Sequence, residues 1–240
     1  MINVRTLDYG GGNIGSLVTA FKRIDINLTA AAVPRDLVTA DLVVIPGVGS
    51  AKSAMKYLNA QGWMDALQQR HSLEKPILGV CLGAQMMFDY LHEAEGPGLG
   101  WLPGEVRPFK SEPLFNNGWC HLDWEAFQQT GLSRGLKARD TFYFNHQYFQ
   151  PMNDSAVIVP VQELPDVPAV CISGHLCGIQ FHPEKSQHSG ALVLRNLIQD
   201  HYGILAHRLD DFCEGRARRK VLRLSAVETR WAATFRFAES

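Results

Sequence analysis

Short apolar runs alternate along the chain with segments in which apolar residues recur at helical spacing. The apolar runs predict β-strands over residues 2–7, 42–45, 77–80 and 177–181. The segments of helical period predict helices over residues 14–24, 51–58, 63–69, 84–91 and 189–201. Strands as uniformly apolar as LVVI are buried on both faces, as in parallel sheets. The pattern therefore predicts an α/β fold in which helices cover both faces of a mostly parallel sheet.

The pattern changes from about residue 104 to residue 170. Proline, glycine and aromatic residues are spaced through short runs there, such as FYFNHQYF and AVIVPVQE. Runs of this kind favour short strands that are partly antiparallel. We therefore expect a small antiparallel element beside the main sheet.

The composition is that of an ordinary globular protein, with 240 residues, 46% of them apolar and 20% charged. It excludes disordered, collagenous and coiled-coil chains. The net charge of −1 gives no reason to expect nucleic acid or an anionic membrane as a partner. No apolar run reaches the roughly 20 residues that a membrane helix needs. Five cysteines without C-x-x-C spacing, in a chain that opens without a secretory leader, predict a reduced, cytoplasmic compartment.

We expect one domain over residues 1–202 and a basic extension over residues 203–240. The extension has eight basic residues against five acidic ones, a surplus of three positive charges. This composition favours a solvated appendage over a dedicated binding element.

Cys81 stands at the centre of GVCLG, between a predicted strand and a predicted helix. A nucleophile on a sharp strand-to-helix turn needs small neighbours, which Gly79 and Gly83 supply. The N-terminus of the following helix favours the reactive thiolate. Cys81 is therefore a candidate nucleophile, although a buried structural cysteine explains GVCLG on its own equally well.

A second motif, His182-Pro183-Glu184, follows the last predicted strand. In extended backbone, residues i and i+2 share a face, so His182 and Glu184 can project together as a base and its orienting carboxylate. With Cys81 they complete the set of nucleophile, base and orienter that nucleophilic catalysis requires.

Two glycine-rich turns follow other predicted strands. Gly47, Val48 and Gly49 can turn their N–H groups toward an adjacent strand end, as an oxyanion hole requires. The G-x-G-x-x-G spacing at residues 10–15 matches a dinucleotide fingerprint, which leaves a nucleotide-binding module as a weak alternative. The acidic residue expected about 20 positions later is missing, so we interpret this segment as a plain strand-to-helix turn.

Together, the segments DYGGGNIGS, PGVGS, GVCLGAQMM and GIQFHPEKS resemble the class I glutamine amidotransferases over about residues 1–202. Within that family, the PGVG loop is the feature that resembles the glutaminase subunits of imidazole glycerol phosphate synthases. Those subunits serve histidine biosynthesis. The resemblance implies a flavodoxin-like three-layer α/β/α fold and hydrolysis of L-glutamine at Cys81 with no cofactor or metal. It also implies a heterodimer in which ammonia passes to a HisF-like (β/α)8-barrel synthase subunit.

The resemblance also assigns roles residue by residue. It makes Cys81 the nucleophile, His182 the base and Glu184 the orienter. The oxyanion hole is assigned to Gly47, Val48, Gly49 and Leu82. Substrate binding is assigned to Gln85, His146, Gln147 and Tyr148. Contacts with the partner are assigned to Asn13, Trp119 and Lys185.

Other interpretations stay open at this point. The chain has NHQYF where a His-Ser-Tyr pattern is usual, and it carries an unusual tail beyond His201. A relative that supplies ammonia for surface-polysaccharide sugars is therefore an alternative. A γ-glutamyl hydrolase or cysteine peptidase on the same fold would use the same triad. A degenerate scaffold is disfavoured because all three triad residue types are present. A zinc site is disfavoured because its ligands lack known spacing, the candidates being Cys120, His121, His175 and Cys177.

Overall fold

The computed structural model describes residues 2–10, 14–47, 49–60, 62–110 and 115–204. Its helices are α1 (Ile14–Lys22), α2 (Pro34–Thr39), α3 (Ala51–Leu58), α4 (Trp63–Ser72), α5 (Leu82–Gln85), α6 (Trp124–Gln129) and α7 (Gln187–Asn196), which a π-helical turn (Leu197–His201) continues. Its strands are β1 (Val4–Thr6), β2 (Leu28–Ala30), β3 (Leu42–Ile45), β4 (Ile77–Val80), β5 (Phe88–Leu91), β6 (Gly96–Pro97), β7 (Leu102–Pro108), β8 (Asn116–Cys120), β9 (Phe142–His146), β10 (Tyr148–Phe149), β11 (Val157–Val161), β12 (Leu164–Ser173) and β13 (Leu176–Ile179). None of the helices in this described part is long and apolar enough to span a membrane.

The main sheet has seven strands in the order β11-β12-β13-β4-β3-β1-β2. The five strands from β2 to β13 are all parallel to their neighbours, whereas β12 and β11 extend the edge in antiparallel register. The parallel strands, in chain order, lie in the sequence 2-1-3-4-5, which is the flavodoxin-like arrangement. The predicted α/β fold with a mostly parallel sheet is therefore confirmed.

Side chains alternate between the two faces of the sheet, and each face has its own core. In β3, Leu42 and Val44 pack with Phe21 of α1 and Leu194 of α7. Their neighbours Val43 and Ile45 pack on the opposite face, in the cluster that also contains Leu37 of α2, Leu58 of α3 and Leu67 of α4. Every side chain of β3 is buried, which explains why its sequence is a continuous apolar run. Helices thus cover both faces, as the sequence pattern predicts.

Two smaller sheets carry the predicted antiparallel element. One is the antiparallel pair of β8 and β9, which α6 separates along the chain. The other has the order β10-β7-β5-β6, in which β10–β7 and β5–β6 are antiparallel and β5–β7 is parallel. The predicted helix over residues 84–91 is wrong in its second half, because only one helical turn follows Cys81 and β5 then begins. Phe88 and Leu91 are buried while the two residues between them are exposed, and β5 pairs with both β6 and β7. Strand pairing therefore outweighs the local helical period.

A buried arginine fastens the end of the sheet opposite the carboxyl ends of β3 and β4. Arg70 of α4 is fully buried, and its guanidinium donates to the carbonyls of Leu37 (2.6 Å), Ala40 (2.9 Å), Asp41 (3.1 Å) and Pro76 (2.8 Å). Burial lowers the pKa of Arg70 to about 10, so the side chain stays charged at neutral pH. Asp41 and Pro76 directly precede β3 and β4, so one side chain sets the spacing of α2, α4 and two central strands.

Replacing Arg70 by methionine should lower the free energy of unfolding by about 3 kcal/mol or more, because several buried carbonyls lose their donor at once. Urea unfolding of the full chain measures this loss. Arg107→Met is the matched control, since Arg107 is exposed and pairs only at the surface with Glu105, and it should change the value by less than about 0.5 kcal/mol. Equal effects of the two substitutions would contradict this role for Arg70.

Candidate active site

Cys81 occupies a strained turn between β4 and α5. Its backbone has φ 49° and ψ −108°, a region that a residue other than glycine adopts only when the surrounding structure enforces it. Its N–H donates to the carbonyl of Ile179 at 2.6 Å, which ties the turn to β13. A Cβ on Gly83 would collide with the carbonyl of Ile45, and one on Gly79 would collide with Gly83 itself. The predicted need for small flanking residues therefore has a steric cause in this structure.

Gly47, in the glycine-rich segment after β3, lies directly against this turn. A Cβ on Gly47 would collide with the carbonyl of Val80 and with the Cβ of Cys81. Gly49 has φ +89°, which favours glycine. Leu82 is the first residue of α5, so its N–H has no acceptor within the helix. Val48 lies outside the described residues. Two described members of the predicted oxyanion hole, Gly47 and Leu82, thus lie directly beside Cys81.

The histidine and glutamate of the second motif form a buried pair at the next strand. Nδ1 of His182 lies 2.7 Å from Oε1 of Glu184, and the two side chains are 6% and 8% exposed. Because Nδ1 is engaged by Glu184, Nε2 is the ring nitrogen left to act on Cys81, which is near enough to help raise the pKa of His182. The three candidate catalytic residues are therefore brought together at the carboxyl ends of β4 and β13, which are adjacent parallel strands.

The electrostatics of the pair favour a charged imidazole. Burial lowers the pKa of His182, but hydrogen bonds with Cys81 and Glu184 and the charges of both raise it to about 10. The raised pKa favours the protonated ring, which places a proton donor beside the sulfur of Cys81. Such a pair can supply both the nucleophile and the proton for a leaving group.

Ser186 and Tyr143 hold the histidine in place. The Ser186 hydroxyl donates to the carbonyl of His182 at 2.7 Å and accepts from the N–H of Tyr143 at 2.9 Å. The N–H of His182 in turn donates to the carbonyl of Tyr143 at 2.8 Å. The base is thus fixed to β9 by its own backbone, and sequence reasoning missed Ser186 because a serine after a strand carries no distinctive signal.

The predicted substrate-binding residues meet at one carbonyl. Gln85 and His146 are buried, and both donate to the carbonyl of Tyr148, at 2.6 Å and 2.8 Å. Burial lowers the pKa of His146 to about 4, so its ring is neutral. With Nδ1 donating, Nε2 is an acceptor, and it has no hydrogen-bond partner among the described residues. Gln147 is exposed and does not join this group.

Gln180 is a buried polar residue of the site that sequence reasoning missed. It is fully buried, and its Nε2 donates to Sγ of Cys81 at 3.6 Å. Its Oε1 accepts from Gln85 at 3.0 Å. The available signal was a glutamine within the apolar strand segment GIQF, because a polar residue in a buried strand requires a partner.

Two of the predicted partner-contact residues lie on a surface beside the base. The ring of Trp119 meets that of Tyr143 edge to face at 5.7 Å, and Nζ of Lys185 lies 5.4 Å from the centre of the Tyr143 ring. Trp119 is 47% exposed. We call Trp119, Tyr143 and Lys185 the Tyr143 patch. Asn13, the third predicted contact, lies outside the described residues, as do residues 205–240 of the predicted extension.

The residues considered for a zinc site do not form one cluster. His121 pairs with Glu163 at 2.6 Å, and His175 pairs with His71 at 3.0 Å. Cys177 is fully buried in β13. Within the described ranges, no group of three or more His, Cys, Asp or Glu side chains could hold a metal ion.

Comparisons of the whole sequence with known proteins give consistent matches. The sequence model of a family described as "Glutamine amidotransferase class-I" matches residues 6–199. A curated protein of Gloeobacter violaceus called "Imidazole glycerol phosphate synthase subunit HisH" is 37% identical over 203 residues, which cover 82% of this chain and 89% of the relative. The proteins of that name from Xanthomonas campestris pv. campestris and, as HisH 1, from Campylobacter jejuni are each 36% identical. They cover 83% and 82% of this chain, and 98% and 99% of their own lengths.

Solved structures of similar shape support the fold. One described as "Crystal structure of glutamine amidotransferase" superposes with a TM-score of 0.64 at 20% identity, covering 84% of this chain and 100% of that chain. The structure of PurLQS from Thermotoga maritima gives 0.61 at 16% identity, covering 82% and 98%.

Proposed function

The chain belongs to the class I glutamine amidotransferase family, and on that basis we propose that it is a glutaminase subunit. It hydrolyses L-glutamine at Cys81 and passes the ammonia to a HisF-like (β/α)8-barrel synthase subunit, most simply that of imidazole glycerol phosphate synthase. The observation that carries the proposal is the strained Cys81 turn facing the His182–Glu184 pair. The names of the relatives support the histidine pathway over a surface-polysaccharide acceptor.

The first half-reaction forms a thioester. The Cys81 thiolate attacks the side-chain carboxamide carbon of glutamine, and the negative charge moves to the carbonyl oxygen. Backbone N–H groups of Leu82 and of the Gly47–Gly49 loop are the donors proposed to stabilise that oxyanion. His182 transfers its proton to the departing nitrogen, so ammonia leaves and a γ-glutamyl thioester remains on Cys81.

The second half-reaction releases glutamate. Neutral His182 accepts a proton from water, whose oxygen attacks the thioester carbonyl, and the C–S bond breaks with its electron pair on sulfur. Glu184 keeps Nδ1 engaged throughout, so Nε2 faces the reacting atoms in both steps. His146 is proposed to contribute the acceptor lone pair of Nε2 to a polar group of the substrate.

A partner follows from the chemistry of ammonia. In bulk water at neutral pH ammonia becomes ammonium, which is not a nucleophile. The ammonia must therefore reach the acceptor by a path that is shielded from solvent. The Tyr143 patch is proposed to face the barrel. It lies next to the base, because His182 donates its backbone N–H to the carbonyl of Tyr143. An exposed tryptophan packed on a tyrosine is typical of interface hot spots.

The central test is reconstitution with a candidate HisF-like barrel. We expect Cys81→Ala to abolish glutamine-dependent synthesis, with a rate loss of at least about 1,000-fold, while synthesis from added ammonium salts continues. Only the supply of ammonia uses the thiol, so the ammonium reaction is the internal control. Glutamine hydrolysis that survives Cys81→Ala would exclude this residue as the nucleophile.

A second test concerns Lys185 of the Tyr143 patch. Lys185→Ala should weaken binding of the barrel about tenfold or more, because it removes a cation from the proposed contact surface. Lys137→Ala is the control, since Lys137 is exposed and lies outside the patch. Calorimetric titration of each variant with the barrel measures the affinities. Equal affinity of the Lys185 variant and the wild type would remove this face from the docking surface.

A further inference from the structure

Gln180 lies between the nucleophile and the residues proposed to bind substrate. It follows β13 directly, its N–H donates to the carbonyl of Ala169 at 2.8 Å, and its side chain is fully buried. We propose that Gln180 is a positioning residue whose amide N–H stabilises the Cys81 thiolate and links it to Gln85. The inference rests on the proposed function, since it assigns Cys81 the role of nucleophile.

The hydrogen-bond network fixes the orientation of the Gln180 amide. The carbonyl of Tyr148 can only accept, so the Gln85 atom 2.6 Å from it must be the nitrogen. The same nitrogen lies 3.0 Å from the Gln180 side chain and requires an acceptor there, which is Oε1. Nε2 of Gln180 therefore faces Sγ of Cys81, at 3.6 Å. The flipped amide would place two donors together and turn an oxygen toward the sulfur.

A donor in this position acts on the charge of the sulfur. A thiolate accepts a hydrogen bond more strongly than a thiol does, so an N–H aimed at Sγ favours the charged form. His182 favours it as well, but the imidazolium loses its charge when it transfers its proton. Gln180 is neutral and does not titrate, so its support persists through the cycle. It also stabilises the sulfur when the C–S bond of the thioester breaks with its electron pair on Sγ.

Gln150 provides a matched control for the loss of a buried amide. It is also fully buried, and its Nε2 donates to the carbonyl of Pro168 at 3.4 Å. Within the described residues its hydrogen bonds do not include Sγ of Cys81. A purely structural role of buried glutamines would therefore make Gln180 and Gln150 behave alike.

The experiment measures how the alkylation rate of Cys81 by iodoacetamide depends on pH. The full-length wild type, Gln180→Met and Gln150→Met are compared from pH 5 to pH 9, and the Cys81 peptide is quantified by mass spectrometry so that the other cysteines do not interfere. We expect Gln180→Met to move the midpoint upward by about one pH unit, because the thiolate loses a donor. Gln150→Met should leave the midpoint within about 0.2 pH units of the wild type. Equal midpoints in all three proteins would overturn the proposal.

A second variant keeps the proposal falsifiable if Gln180→Met fails to fold. Gln180→Glu is nearly isosteric and keeps an acceptor for Gln85, but it replaces the donor facing sulfur by a carboxylate oxygen. Its midpoint should rise at least as far as that of Gln180→Met, and an unchanged midpoint would overturn the proposal.

The alkylation uses no glutamine, so it separates this inference from the proposed function. Failure of the wild-type complex to consume glutamine would refute the proposed function and leave the measured midpoints intact.

Discussion

The close approach of backbone segments around Cys81 is the constraint on which the rest of the structure depends. Gly47, Gly79 and Gly83 sit where any side chain would collide with a neighbouring carbonyl or with the nucleophile itself. That packing holds Cys81 in a strained conformation with positive φ at the end of β4. A strained turn of this kind persists only inside a rigid frame, which the two cores on either side of the sheet and the buried Arg70 provide.

The parallel pairing of β4 with β13 brings the base to the nucleophile. Cys81 and His182 are 101 positions apart in the chain, yet they follow strands that are adjacent in the sheet. The segment after β13 carries two kinds of group to the sulfur, because Gln180 donates from one position and His182 from two residues later. Residues i and i+2 of extended backbone share a face, so Gln180 and His182 can both point toward the sulfur.

Much of the fold and of the catalytic site could be predicted from the sequence, because short local patterns determine them. The apolar runs at β3 and β4, the glycines around Cys81 and the H-x-E spacing each express a short-range requirement. The second half of the predicted helix at residues 84–91 was wrong because strand pairing with β6 and β7 is decided by distant segments. Gln180 and Arg70 were missed for a related reason, since their partners are carbonyls and side chains that only the fold brings near.

The central claim is that Cys81 carries the acyl group of glutamine. The most direct measurement is to mix the complex with L-glutamine, quench in acid within one turnover, and map the adduct by mass spectrometry. The account predicts a γ-glutamyl thioester on the Cys81 peptide that forms in the wild type and is absent from Cys81→Ala. Glutamate production at full rate without any adduct on Cys81, or with the adduct on another residue, would contradict it.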